Sequence, residues 1–225
     1  MKNSKFIAGI VIAILFGLLI GCAKSSNSET MEKSGEKSAL ESKEEIQVVE
    51  IPGGPGAKAT DTEKPSLSSL SELKKSKITL IDALKQVEAK YSPAIEAKFE
   101  TGDDGKLSLS IYPVGNGINT DASRNVFQEL AGDPTVSPWE PSLDNFTDPE
   151  HLTGSARDLT IVQTAGLTLR EAVEKVNGKQ PGFVYWALPT IRDGHPGYGV
   201  YTLDSYGKSH YFFVGELYSD SSERT

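Results

Sequence analysis

The sequence predicts an α+β fold: two helix-plus-antiparallel-sheet units with a helical connector between them, behind a disordered N-terminal tether. Three observations carry that expectation. A helical stretch occurs twice at a constant offset, each copy runs on into a proline, an extended run, an Asp-Gly turn and a second extended run, and the chain up to residue 73 lacks the composition of a packed domain. The two copies are Ile78-Thr79-Leu80-Ile81-Asp82-Ala83-Leu84-Lys85-Gln86-Val87 and Leu167-Thr168-Leu169-Arg170-Glu171-Ala172-Val173-Glu174-Lys175-Val176. In each, a Thr caps the first turn, an acid follows three residues later, and apolar side chains recur at i, i+3, i+4 and i+7. The stripes are Leu80, Ala83, Leu84, Val87 and Leu169, Ala172, Val173, Val176. Each stripe must be covered, and the strands that follow are its natural cover.

Residues 1–21 read as a lipoprotein signal peptide, with Lys2 and Lys5 ahead of an apolar run from Phe6 to Ile20. That run is short for a spanning helix, which needs about 20 residues. Leu19-Ile20-Gly21-Cys22 resembles the lipobox of bacterial lipoproteins, which implies cleavage before Cys22 and attachment of diacylglyceryl and acyl chains, palmitate among them. Cys22 is the only cysteine, so an internal disulfide is impossible. Several acyl chains on one residue anchor a protein stably, where one chain binds marginally. The expectation is an exported protein, lipid-anchored through Cys22 to the bacterial cell membrane or outer membrane. Ala23 resembles the residue found in that place in outer-membrane lipoproteins.

Residues 22–73 read as a disordered linker of Ser, Lys, Glu, Gly and Thr. Within it only Ile46-Gln47-Val48-Val49-Glu50-Ile51 has strand character, read as an apolar patch in the tether in preference to an extra strand. Coil of this length reaches roughly 40 Å root-mean-square, enough to hold the folded part off the membrane. Gly53-Gly54-Pro55-Gly56 has no strand before it and no helix with Lys-Ser/Thr after it, so it is not a phosphate loop.

The first unit spans residues 74–135. Its helix runs from Thr79 to about Tyr91, and after Pro93 the run Ala94 to Thr101 alternates, with Ile95, Ala97 and Phe99 inward. Gly102-Asp103-Asp104-Gly105 makes a tight turn, and too few oxygen donors follow it for a calcium loop. Leu107, Leu109 and Ile111 mark the return strand, one face meeting the helix and the other water. Asn125 to Ala131 supplies a third strand.

The connector spans residues 136–166. Trp139, between Pro138 and Pro141, sits in a loop, as a plug over the core edge or as an exposed contact, the plug preferred. Asp148-Pro149 opens a helix whose buried stripe is Leu152, Ala156, Leu159 and Val162. His151 has no Glu-x-x-His companion and reads as an exposed polar residue.

The second unit spans residues 167–218, with a tail at 219–225. Its helix is shorter, stopped by Asn177-Gly178 and followed by Pro181. Strands are expected at Phe183 to Leu188, Gly197 to Leu203 and Ser209 to Val214, with turns at Asp193-Gly194 and Ser205-Tyr206-Gly207. Most of the aromatic residues of the chain, Tyr218 included, fall here. Alternation sends Tyr185 and Trp186 to opposite faces, so some rings must lie on an open face. Tyr185, Trp186, Tyr198, Tyr201 and Tyr211 are therefore the candidate partner-binding residues, since large rigid rings suit protein contacts. The competing account is cross-strand pairing that stabilises the sheet. His195 and His210 lack partners at metal-ligand spacing, so no metal site is expected.

A net charge of -8 and a pI near 5.0 leave no basic stripe for nucleic acid. No nucleophile elbow, zinc-protease signature, Walker loop or dinucleotide fingerprint occurs, so neither catalytic residues nor a cofactor are expected. A helix beginning Leu-Thr-x-x-Glu-Ala, followed by strand, Asp-Gly turn and strand, resembles the PepSY domain. The matching stretches are Ile78 to Ala83 with Asp104-Gly105, and Leu167 to Ala172 with Asp193-Gly194 and Asp204 to Gly207. The first departs after Tyr112, where Pro113 and a glycine loop replace the usual turn. The resemblance implies a non-catalytic envelope module that binds or inhibits a peptidase or contacts another exported protein. The alternative is a structural or ligand-carrying envelope protein without a protease partner.

Overall fold

The computed structural model describes residues 45–52, 70–102, 105–180 and 182–217. The leader with Cys22, the tether to residue 44, the glycine tetrad at 53–56, Asp103-Asp104, Pro181, Tyr218 at the end of the second unit and the tail at 219–225 lie outside the described residues. In chain order the elements are β1 (Ile46–Glu50), α1 (Leu70–Leu73), α2 (Leu80–Glu88), β2 (Ala94–Thr101), β3 (Leu107–Gly115), β4 (Val126–Gly132), β5 (Ser142–Asn145), α3 (Pro149–Thr164), α4 (Leu169–Lys179), β6 (Phe183–Arg192), β7 (His195–Leu203) and β8 (Ser209–Glu216).

The capping threonines start α2 and α4. Thr79 Oγ1 accepts the Asp82 amide, and Thr168 Oγ1 accepts the Glu171 amide while Glu171 returns a carboxylate to the Thr168 N–H, completing a capping box. Both apolar stripes are buried as their spacing predicts. The hairpin between β6 and β7 turns on Asp193 and Gly194, both at positive φ, a geometry whose twist matches that of the flanking strands.

The protein is α+β, with one eight-stranded antiparallel sheet in the order β1-β8-β7-β6-β2-β3-β4-β5. This corrects the expectation of two separate small ribbons. Each three-stranded ribbon would leave the outer side of its first strand unpaired, and β2 and β6 satisfy those edges on each other through Ala97↔Ala187 and Lys98↔Trp186. Along one face Ala97, Phe99, Ile111, Ala187, Val200 and Phe212 form the floor under α2 and α4.

The other face is not open to water as expected. Leu159 of α3 packs with Ile95, Val114 and Phe127 in a second core cluster. Ile95 reaches that side because β2 bulges between Ala94 and Glu96, which reverses the alternation read from sequence. Within α3, Leu159 alone is fully buried, Leu152 and Val162 are half-buried, and Ala156 is exposed.

Two more corrections concern the tether. Ile46–Glu50 is a strand paired in register with β8, from Ile46↔Glu216 to Glu50↔Phe212, and Leu70–Leu73 is a helical turn whose Leu73 is fully buried. An edge strand can be short and polar because only one of its sides pairs, so its composition resembles a linker. Trp139 is the plug: its side chain is buried and its carbonyl accepts Gln86 Nε2 at 3.0 Å.

Candidate functional site

Tyr185, Trp186, Tyr198, Tyr201 and Tyr211 are each no more than 8% exposed, so the open aromatic patch expected from alternation is not what they form. α3 packs on β6 and β7, and β6 bulges between Val184 and Trp186. The bulge puts Tyr185 and Trp186 both beside Tyr201, at ring separations of 6.0 and 4.7 Å, and Tyr211 adds a third ring 4.8 Å from Tyr201. The rings cover one another as a cross-strand row. Tyr198 stands apart on the helix side, its hydroxyl donating to the Leu167 carbonyl at 3.0 Å, and burial raises its pKa.

Glycines of β7 make the row possible. A Cβ on Gly199 would lie 2.7 Å from the Tyr211 ring, and one on Gly197 would lie 2.7 Å from Phe213 and 2.5 Å from the Val214 carbonyl oxygen. Tyr211 and Phe213 thus lie flat where a side chain would otherwise stand.

At the inner end of the row, Trp186 Nε1 donates to Glu96 Oε1 at 2.8 Å. Burial raises the Glu96 pKa, and this outweighs the lowering by Lys98 and by the indole N–H; the Asp158 and Glu100 charges push it further up. Asp158, on α3, is itself raised by burial against the opposing pull of Arg157. The two carboxyl groups hold protons more tightly than exposed acids do. Farther along the same face Tyr112 donates to Glu129 at 3.0 Å and lies under the Lys98 ammonium, and Phe146 stacks on His151. His151 is exposed, as expected, and pairs with Asp148 at 2.7 Å.

The histidine that sequence reasoning missed is His210. Its Nδ1 lies 2.8 Å from Glu50 Oε1 on β1, and its Nε2 lies 3.2 Å from Asp204 Oδ2 in the β7–β8 turn. Hydrogen bonds to Glu50 and Asp204 raise its pKa against desolvation. Asp204 is held low by the Lys208 amide, the His210 ring and the Tyr206 amide. His195, expected in a turn, is the first residue of β7.

An open groove of about 500 Å³ runs between β1 and α4, lined by Ile46, Gly166, Leu167, Glu171, Glu174 and Lys175. A cavity of about 200 Å³ lies between the start of α2 and the start of β6. Among the described residues no group of three or more His, Cys, Asp or Glu is arranged to hold a metal ion, and no helix is long and apolar enough to cross a membrane. No protein-family model, curated protein or solved structure matches this chain.

Proposed function

We propose that the protein is an exported lipoprotein, anchored in the membrane through Cys22, whose folded part is a non-catalytic binding module of two PepSY-like units that docks on or restrains an envelope peptidase. The observation that carries this reading is the correspondence between the two helix-led segments. The capping threonines adopt φ -85, ψ 160 and φ -84, ψ 160, and the same four positions after each cap are buried. The first strand of each segment has a bulge near its start, and the three strands after each helix run outward from the shared β2–β6 seam in the same sequence. That symmetry supports duplication of one unit, and the resemblance of the unit supports the family's binding role.

The anchor and the partner are tested separately on the full chain. Labelled palmitate should enter the protein and be lost in Cys22→Ser, with the variant leaving the membrane fraction. Purified full-length protein immobilised on beads should retain a peptidase from detergent-solubilised envelope and lower its activity. Label entering Cys22→Ser as well would remove the anchor, and beads that retain no peptidase, with activity unchanged, would remove the docking role.

A further inference from the structure

The geometry points to a strap: we propose that β1 is held against β8 by the protonated ring of His210 and is released from that edge when the ring loses its proton. Donor and acceptor counts fix the charge of the ring. Both ring nitrogens face carboxylate oxygens, Glu50 Oε1 at 2.8 Å and Asp204 Oδ2 at 3.2 Å, and a carboxylate can only accept. A neutral imidazole has a single N–H, so in this arrangement its second nitrogen would set a lone pair against an oxygen. Only the imidazolium satisfies both contacts.

The two carboxylates come from different elements, which makes the ring a bridge. Asp204 is fixed in the sheet's own β7–β8 turn, where it also accepts the amides of Tyr206 and Lys208. Glu50 is the last residue of β1 and half of its side chain is exposed. Among the described residues the charged groups that act on the ring are these two acids. Thr202, its partner on β7, does not titrate, and Lys179 of α4 instead reaches the Val48 carbonyl at 3.3 Å. The ring is only 14% exposed, so the surroundings favour its charge through hydrogen bonds that bulk water would weaken.

What else holds β1 is modest. It is five residues long, no residue in it is fully buried, and only one of its sides pairs with the sheet. Losing one charge-assisted contact therefore acts on a short edge strand, and its departure bares the β8 edge together with the groove beside Ile46. The direction follows from the raised pKa of the docked ring. Docking is fully supported below the ordinary histidine value near 6.5 and weakens as pH rises through the docked value, by up to about tenfold per pH unit between the two.

The test is hydrogen exchange of the full chain from about pH 6 to about pH 9, read as protection after correction for the intrinsic rate. The Ile51 amide, which donates to the Tyr211 carbonyl at 3.0 Å, is the reporter. Its protection should fall with pH while β6 and β7 amides hold theirs. His210→Gln should flatten the profile, and Glu50→Gln, a change at a surface side chain, should move the fall to lower pH. Protection of Ile51 that is constant across the range, or a fall that persists unchanged in His210→Gln or Glu50→Gln, would overturn the strap.

Discussion

Lys85 Nζ lies 3.7 Å from Glu174 Oε1, and the two side chains stand at the same turn of α2 and α4, six residues after their respective capping threonines. In the sheet below, Ala97 of β2 pairs with Ala187 of β6. Opposite charges suit the contact between the two helices, where identical ones would repel.

Charge changes at this helix pair should divide by burial. The Lys85 side chain is more than half exposed, so Lys85→Glu should cost about 0.5 kcal/mol or less, and the loss should shrink in high salt. Arg170 instead joins Glu88 at 2.8 Å and Glu174 at 3.0 Å, and Glu88 is only 17% exposed. Arg170→Ala should cost about 1–2 kcal/mol, with less salt dependence. Urea midpoints at low and high salt measure both.

The caps should be worth similar amounts. Thr79→Ala and Thr168→Ala should each lower stability by about 1 kcal/mol, the latter more because its capping box is complete. Thr168→Ser should recover most of the loss, which separates capping from packing. Denaturant unfolding of the three variants decides.

The starts and buried stripes of α2 and α4 were legible because their signals are local, cap, acid and stripe lying within ten residues of one another. Asn177-Gly178, however, is not the expected stop: α4 runs through both to Lys179 and is longer than α2. The single sheet was not legible. Nothing in the composition of β2 or β6 marks them as partners, and the pairing of Ala97 with Ala187 joins distant stretches of chain. The bulges escaped for a related reason, since an extra residue is visible only against the strand opposite, and missing them misplaced Ile95 and Tyr185. His210 looked unremarkable because one of its partners, Glu50, is 160 residues away in a stretch read as tether.

Filling the glycine platform should be costly. Gly199→Ala would press a methyl group into the Tyr211 ring and Gly197→Ala one into Phe213 and the Val214 carbonyl. Each should cost about 2 kcal/mol or more, because backbone and paired rings have to shift together. Near-ultraviolet circular dichroism should report the loss of ring order along with the lowered midpoint.

The pH dependence of the Glu96 and Asp158 region has a definite sign. Both carboxyls are raised in the folded protein, so their contribution is greatest at acid pH and declines as pH rises from the ordinary carboxylate value through the raised one. Glu96→Gln keeps an oxygen to accept from Trp186 Nε1 and cannot ionise. It should be more stable than the parent at neutral pH and lose that advantage near pH 4, about the ordinary carboxylate value. Urea midpoints of parent and variant that differ by the same amount at both pH values would contradict this.

Sharing β2 and β6 also means that neither half of the polypeptide is a freestanding part. A fragment cut off after β4, or begun at α4, would carry a raw inner strand with Ala97 or Ala187 laid bare. Such a piece would clump or seek a twin to zip against, and a substitution in either middle strand answers to the other half as much as to its own.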